Sequence, residues 1–307
     1  MNIETIHVEA NGLRFAIDRC GNGRSLALLL HGFPESRFSW RHQLPVLAEL
    51  GFTAWAPDLR GYGESDRPDG VAAYAMTELL ADVAALIDAA RARGMDGPVT
   101  LIGHDWGGAI AWYFALLATR PLERFIVMNL PHPTRFAEGL KTLRQLRRSW
   151  YLFFFQLPWL PERLLAGNGA AAIAGILRRT AVDKTRFPRD VLSVYCRNAQ
   201  RPGALTAMLN YYRAGFRYPP PPRREFCIPL ETPTLMIWGE EDRALGKELT
   251  VDTGTLVRDF TLRLLPGVSH WVQQEAPEAV NEILREWLLT SRPASGLARA
   301  ARVSRGD

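Results

Sequence analysis

Three side chains have the types and the chain order to do covalent chemistry together: Asp105, Asp242 and His270. Asp105 is the centre of Gly103-His104-Asp105-Trp106-Gly107, a small-x-acid-x-small turn after an apolar run. Glycines on both sides let a strand and a following helix approach closely and leave the central side chain exposed above a sheet. Taken alone, an aspartate there reads equally well as a turn residue or helix cap. Asp242 ends Trp238-Gly239-Glu240-Glu241-Asp242, and His270 sits in Gly267-Val268-Ser269-His270-Trp271. Singly, each is an ordinary surface group, but all three follow runs that read as parallel strands, the edge of an open α/β sheet where ligands bind. A serine attacking a saturated carbon would form an inert ether. A carboxylate forms an ester, which water can cleave at the enzyme's own carbonyl. Asp105 therefore points to displacement at an sp³ carbon bearing a leaving group, with epoxides and alkyl halides as natural substrates. His270 would activate the water, and Asp242 would orient the imidazole and stabilise its cation.

The elements that must position these groups are readable from pattern. Residues 5–10 and 13–19 flank Asn11-Gly12, a hairpin signal. Residues 25–30 form a short continuous apolar run of the kind buried on both faces of a parallel sheet. Further strands are expected at 52–56, 98–102 and 125–130, with helices at 39–50, 76–93 and 107–119 between them. That alternation predicts an α/β fold with a mostly parallel sheet flanked by helices. It stops at Pro131-His132-Pro133, and residues 131–230 pattern as an all-helical insertion ending near Pro219-Pro220-Pro221-Pro222. Strands return at 234–238 and 260–265, and a last helix is expected at 277–289, with Pro277 in its first turn. The domain reading is a core of residues 1–130 and 231–290, a helical cap of 131–230 and a flexible basic tail of 291–307.

Composition narrows the classes. The chain has 307 residues, 47% hydrophobic and 22% charged, ordinary for a globular protein with a sizeable core. The net charge is +5, but the tail alone holds four arginines against one aspartate, so no basic face for nucleic acid is expected on the folded part. Cys20, Cys196 and Cys227 are dispersed without a C-x-x-C pair, which argues against a disulfide framework or zinc ribbon and for a reducing compartment. The N-terminus has no apolar signal core, and the aromatic run 150–160 is too short and interrupted to span a membrane. A cytoplasmic protein without stable membrane insertion is expected, as monomer or homodimer. No phosphate loop, dinucleotide fingerprint or metal-ligand cluster appears, so no cofactor and no metal is expected.

HGFPE at 31–35, DLRGYGES at 58–65, GHDWGG at 103–108, WGEED at 238–242 and the SHW around His270 together resemble the α/β-hydrolase family, in particular its epoxide hydrolase branch with a helical cap. The resemblance runs from the first strands to about Leu289. It implies that Asp242, rather than Glu240 or Glu241, is the acid, and that backbone N–H groups of Phe33 and Trp106 form the oxyanion hole. It also matches Tyr151 and Tyr212 to the two lid tyrosines. A tyrosine can protonate the alkoxide that leaves an epoxide. Tyr211 is the neighbour that could take the place of Tyr212. Phe33, Trp106, Tyr151, Phe155 and Tyr212 are expected to line an apolar pocket for a hydrophobic epoxide. Aromatic runs in helical segments are also ordinary core.

Two alternatives stand beside the epoxide reading. A haloalkane or haloacetate dehalogenase would use the same nucleophile. Haloalkane dehalogenases often carry Asn where this chain has Phe33, and fluoroacetate dehalogenases Arg where it has Trp106, although the Trp106 indole N–H could still meet a halide. A non-catalytic hydrolase-fold binding protein is the third reading. His31 and Asp58 read as loop scaffold, and Phe33-Pro34 as a candidate cis peptide.

Overall fold

The computed structural model describes residues 2–220, 226 and 228–291. Cys227, Pro221 and Pro222 of the expected polyproline end of the helical insertion, and nearly all of the basic tail lie outside those residues. Eight strands, β1 (Glu4–Ala10), β2 (Leu13–Cys20), β3 (Ser25–Leu30), β4 (Phe52–Pro57), β5 (Val99–His104), β6 (Arg124–Met128), β7 (Thr234–Gly239) and β8 (Phe260–Leu265), form one sheet in the order β1-β2-β4-β3-β5-β6-β7-β8. From β4 to β8 every neighbouring pair is parallel, and β2 is antiparallel to both β1 and β4. The hairpin between β1 and β2 turns on Asn11 and Gly12, both at positive φ, the conformation that matches strand twist in a two-residue loop.

β3 shows why the central strands read as unbroken apolar runs. Leu26, Leu28 and Leu30 pack on one face, and Ala27 and Leu29 on the other. Helices α1 (Gln43–Glu49), α2 (Met76–Arg91) and α3 (Trp106–Leu116) follow in chain order. Val83, Ile87, Ile110 and Phe114 of α2 and α3 cover the first face, whereas Leu44 and Leu47 of α1 lie on the second. The single helix expected at 39–50 is a 3₁₀ turn, Arg37–Trp40, followed by α1. Pro45 has no N–H to give to a preceding turn, so the α-helix starts at Gln43 and keeps the proline in its first turn.

Between β6 and β7 the chain is helical: α4 (Pro133–Gly139), α5 (Leu143–Arg148), α6 (Trp150–Phe154), α7 (Leu160–Thr180), α8 (Arg189–Ala199) and α9 (Ala204–Arg217). Non-helical backbone from Gly167 to Ala170 kinks α7. The chain closes with α10 (Val272–Glu275) and α11 (Pro277–Thr290). Val280, Leu284 and Trp287 of α11 complete the second sheet face. The four-residue α10 is too short to leave a periodic signature, yet it carries two glutamines that matter below. None of the described helices is long and apolar enough to cross a membrane.

Candidate active site

Asp105 sits between β5 and α3 with φ 49° and ψ −122°, a sharp turn at the carboxyl edge of the sheet. Two close approaches explain its glycines. A Cβ on Gly107 would strike the carbonyls of Leu30 and His31, and one on Gly32 would strike the Asp105 side chain itself. The loop after β3 can therefore pass directly over the carboxylate, and it places the Phe33 N–H 2.7 Å from Asp105 Oδ1. The Phe33-Pro34 peptide is cis. The Trp106 N–H makes no hydrogen bond to that carboxylate among the described residues. What Trp106 does bring to the site is its ring, 5.1 Å from that of Tyr212.

His270 lies in the loop after β8. Its Nε2 is 3.6 Å from Asp105 Oδ2, and its Nδ1 is 2.6 Å from Asp242 Oδ2. Glu240 instead pairs with Lys247, and Glu241 is exposed, so of the three acids only Asp242 meets the imidazole. Asp242 Oδ1 accepts from the N–H groups of Ala244 and Leu245 at 2.7 and 2.9 Å. Oδ2 also accepts from Asn129 Nδ2 at 2.7 Å. Asn129 follows β6 at φ 41° and accepts the Gly239 N–H through its Oδ1. It bridges two strand ends and positions the acid. Sequence reading missed it, because an asparagine after a strand looks like any turn residue.

Charge follows this geometry. Burial opposes ionisation of Asp105, but His270, then His104 and the Phe33 N–H, outweigh it and hold the carboxyl below the usual range. Burial likewise opposes the His270 cation, and Asp242 and Asp105 overcome that and hold its pKa up at about 10. Asp242 is kept below the usual range against burial, chiefly by His270. The resting arrangement is a histidine cation between two carboxylates. Only 15% of the Asp105 side chain and 8% of the His270 side chain are exposed, so a small molecule can reach them and bulk water largely cannot.

A second buried layer fixes the first. His104 Nδ1 faces Glu35 Oε2 at 2.7 Å, and its Nε2 donates to the His270 carbonyl at 2.9 Å. Glu35 also accepts from Gly32 N–H and from the amides of Gln273 and Gln274 on α10. Nucleophile turn, overlying loop and histidine loop are thus tied through one carboxylate. His31 Nε2 accepts the Leu59 N–H, and Asp58 accepts from the backbone N–H groups of Arg37 and Glu64. Both are loop scaffold.

The opposite wall is aromatic. Tyr151 on α6 and Tyr212 on α9 have ring centroids 6.0 Å apart, and Phe155 lies 4.9 Å from Tyr212 and 5.5 Å from Phe33. Burial, and then the Asp105 charge, push both tyrosine pKa values upward, so both stay protonated donors. Neither hydroxyl donates a hydrogen bond among the described residues, and Trp106 lies against that of Tyr212. Tyr211, by contrast, donates to the Arg60 carbonyl at 2.8 Å, which commits its hydroxyl elsewhere. Buried Arg213, which sequence reading also passed over, sets the spacing of the wall. It donates to the carbonyls of Phe155 and Leu157 and pairs with Glu162 at 2.6 Å, clamping α6 to α9.

The sequence profile of the alpha/beta hydrolase family matches residues 27–283. Epoxide hydrolase 4 of Mus musculus is 38% identical over 295 residues, which cover 92% of this chain and 78% of the mouse protein. An AB hydrolase superfamily protein of Bacillus subtilis is 36% identical over 293 residues, 92% of this chain and 96% of that one. The crystal structure of Bacillus megaterium epoxide hydrolase in complex with an inhibitor superposes with a TM-score of 0.82 at 28% identity, covering 93% of this chain and all of that one. Strand order, the Asp105 turn and these matches agree: the chain belongs to the alpha/beta hydrolase family.

Proposed function

We propose that the protein is a cofactor-independent epoxide hydrolase that converts a hydrophobic epoxide to a vicinal diol, with helices α4–α9 as a cap over the reacting groups. The observation that carries the reading is the pairing of an ionised Asp105 with two tyrosine hydroxyls that donate to no other described group, across an aromatic pocket. Asp105 Oδ2 is the attacking oxygen, since Oδ1 is held by the Phe33 N–H at 2.7 Å and Oδ2 faces His270 Nε2 only at 3.6 Å. Oδ2 attacks an epoxide carbon, the carbon–oxygen bond breaks, and Tyr151 or Tyr212 protonates the leaving oxygen. The product is an ester on Asp105.

Esterification removes one of the two negative charges that raise the His270 pKa, so the imidazolium becomes a stronger acid and returns its proton to the tyrosinate left by the first step. Neutral His270 then takes a proton from water, which adds to the ester carbonyl carbon. The developing charge falls on Oδ1, in front of the Phe33 N–H. Collapse breaks the ester carbon–oxygen bond, and the leaving alkoxide takes the second proton of the water, which releases the diol and restores the Asp105 carboxylate beside the His270 cation.

His270→Gln should block only the second half. Brief exposure to styrene oxide should raise the intact protein mass by that of the epoxide, with bromoalkane and halide release as the parallel arm. Loss of activity with no adduct would remove the histidine from the hydrolysis step. Halide release in place of diol formation would move the dehalogenase reading ahead. The dispersed Cys20 and Cys196 thiols, both free, support a reducing, cytoplasmic setting.

A further inference from the structure

Helices α5 and α6, separated by Ser149 alone, carry apolar residues on two faces. Gln145, Ser149 and Phe155 turn inward. Gln145 donates to the Ala244 carbonyl at 2.8 Å and to Ser149 Oγ at 2.9 Å, so the inner face is already seated. The outer face repeats at intervals of three and four: Leu143, Leu146, Trp150, Phe153 and Leu157. All five are exposed, Trp150 at 62% and Leu143 at 72%. Trp159 is 66% exposed just beyond the stripe, and Phe216 of α9 extends it sideways, its ring 5.7 Å from that of Phe153. An apolar strip of this length with no partner on it marks an interaction surface.

The charges around it say which kind. Lys141, Arg144, Arg147, Arg163 and Arg217 are exposed along its borders. Arg144 shares Glu248 with the half-buried Arg148, at 3.4 and 3.3 Å, and the other four pair with no carboxylate among the described residues. Glu162, the one acid between residues 139 and 166, is held by buried Arg213. A second copy docked by this face about a twofold axis would set these cations against their own equivalents. Tryptophan, phenylalanine and leucine on one side of a helix with arginine beside them is the composition that lies in the headgroup layer of a bilayer.

We propose that the outer face of α5 and α6 docks the protein peripherally on an anionic lipid surface. Tyr151 is on α6, so docking would bring the aromatic pocket beside the phase in which an apolar epoxide dissolves. That consequence, unlike the docking itself, rests on the epoxide hydrolase reading.

The test is co-sedimentation of the whole chain with vesicles of phosphatidylcholine alone and of phosphatidylcholine and phosphatidylglycerol in equal parts, in low and in molar salt. Binding is expected to the anionic vesicles only, with loss in molar salt and a blue shift of tryptophan emission. Two surface double variants, Trp150→Ser with Phe153→Ser and Arg144→Glu with Arg147→Glu, should each weaken it at least about tenfold. Both should keep the wild-type melting temperature and diol formation in detergent-free buffer. Should one variant fold poorly, the other and the wild-type salt response still decide. Equal binding to neutral vesicles, no binding at all, or binding unaffected by either variant would overturn the proposal. So would a dimer in light scattering that the aromatic variant dissolves. Because sedimentation reads no catalysis, failure here is separable from failure of the epoxide reading.

Discussion

The two walls of the site are built on opposite plans. On the sheet side, Asp242 holds two donors on each oxygen, and Glu35 joins His104, Gly32 and two glutamines. On the helical side, the hydroxyls of Tyr151 and Tyr212 lie among aromatic rings and donate to no group among the described residues. A hydroxyl with no acceptor of its own keeps its proton available for an oxygen that enters the pocket. The sheet side sets geometry and charge before substrate arrives. The helical side keeps its donors for the oxygen that leaves.

That contrast can be broken most severely at the nucleophile. Asp105→Asn replaces a carboxylate by a neutral amide, a poor nucleophile toward saturated carbon. Steady-state diol formation should fall below about one-thousandth of wild type. Fresh, mass-verified protein is required, because deamidation would restore the aspartate. Undiminished turnover would remove Asp105 from the reaction.

On the helical wall, Tyr151→Phe with Tyr212→Phe deletes both donors and keeps both rings. Single-turnover alkylation by styrene oxide should slow by about 10²–10⁴-fold, and each single variant by less, since one hydroxyl can partly cover for the other. Hydrolysis of a preformed ester should be less affected. Alkylation at the wild-type rate in the double variant would reduce the pair to packing.

The sheet wall has a pH signature. His270 is raised in the fold from an ordinary 6.5 to about 10, so its contribution to stability is full below about 6.5 and is lost as pH rises through about 10. Asp105 and Asp242 are lowered, so their contribution is present above the ordinary carboxylate value and is lost only as pH falls through their depressed values. Denaturant midpoints of the wild type should therefore fall from neutral to alkaline pH by more than those of His270→Gln. Parallel curves would mean that the histidine cation does not exist in the resting protein.

The gentlest test compares neighbours. Tyr211→Phe loses one hydrogen bond to the Arg60 carbonyl and should cost about 1 kcal/mol of stability in a denaturation curve. Its turnover should stay close to wild type. A large loss of turnover at Tyr211 would exchange the roles of the two adjacent tyrosines.

What could be read ahead of the structure divides along the same line. The strands were legible because β3, β4, β5 and β7 are buried on both faces, which forces continuous apolar runs. The Asp105 turn was legible because its glycines are demanded by backbone contacts a few residues away. Asn129, Arg213, Gln273 and Gln274 were not. Each owes its importance to partners far along the chain, as Gln274 does to Glu35 at a separation of 239 residues. No local period records such a partnership.

Trp106 has one more consequence. Its indole follows the nucleophile directly in the chain and stands edge-on to both Tyr211 and Tyr212. Of the other eight tryptophans, Trp40, Trp55, Trp112 and Trp238 are wholly enclosed and keep a constant environment whatever occupies the pocket. The protein thus carries its own optical reporter beside the reacting atoms. Rapid-mixing fluorescence should resolve ester formation and decay as two successive changes in emission, without any label, and Trp106→Phe should diminish both, leaving the part due to Trp271, whose ring is 4.8 Å from that of His270.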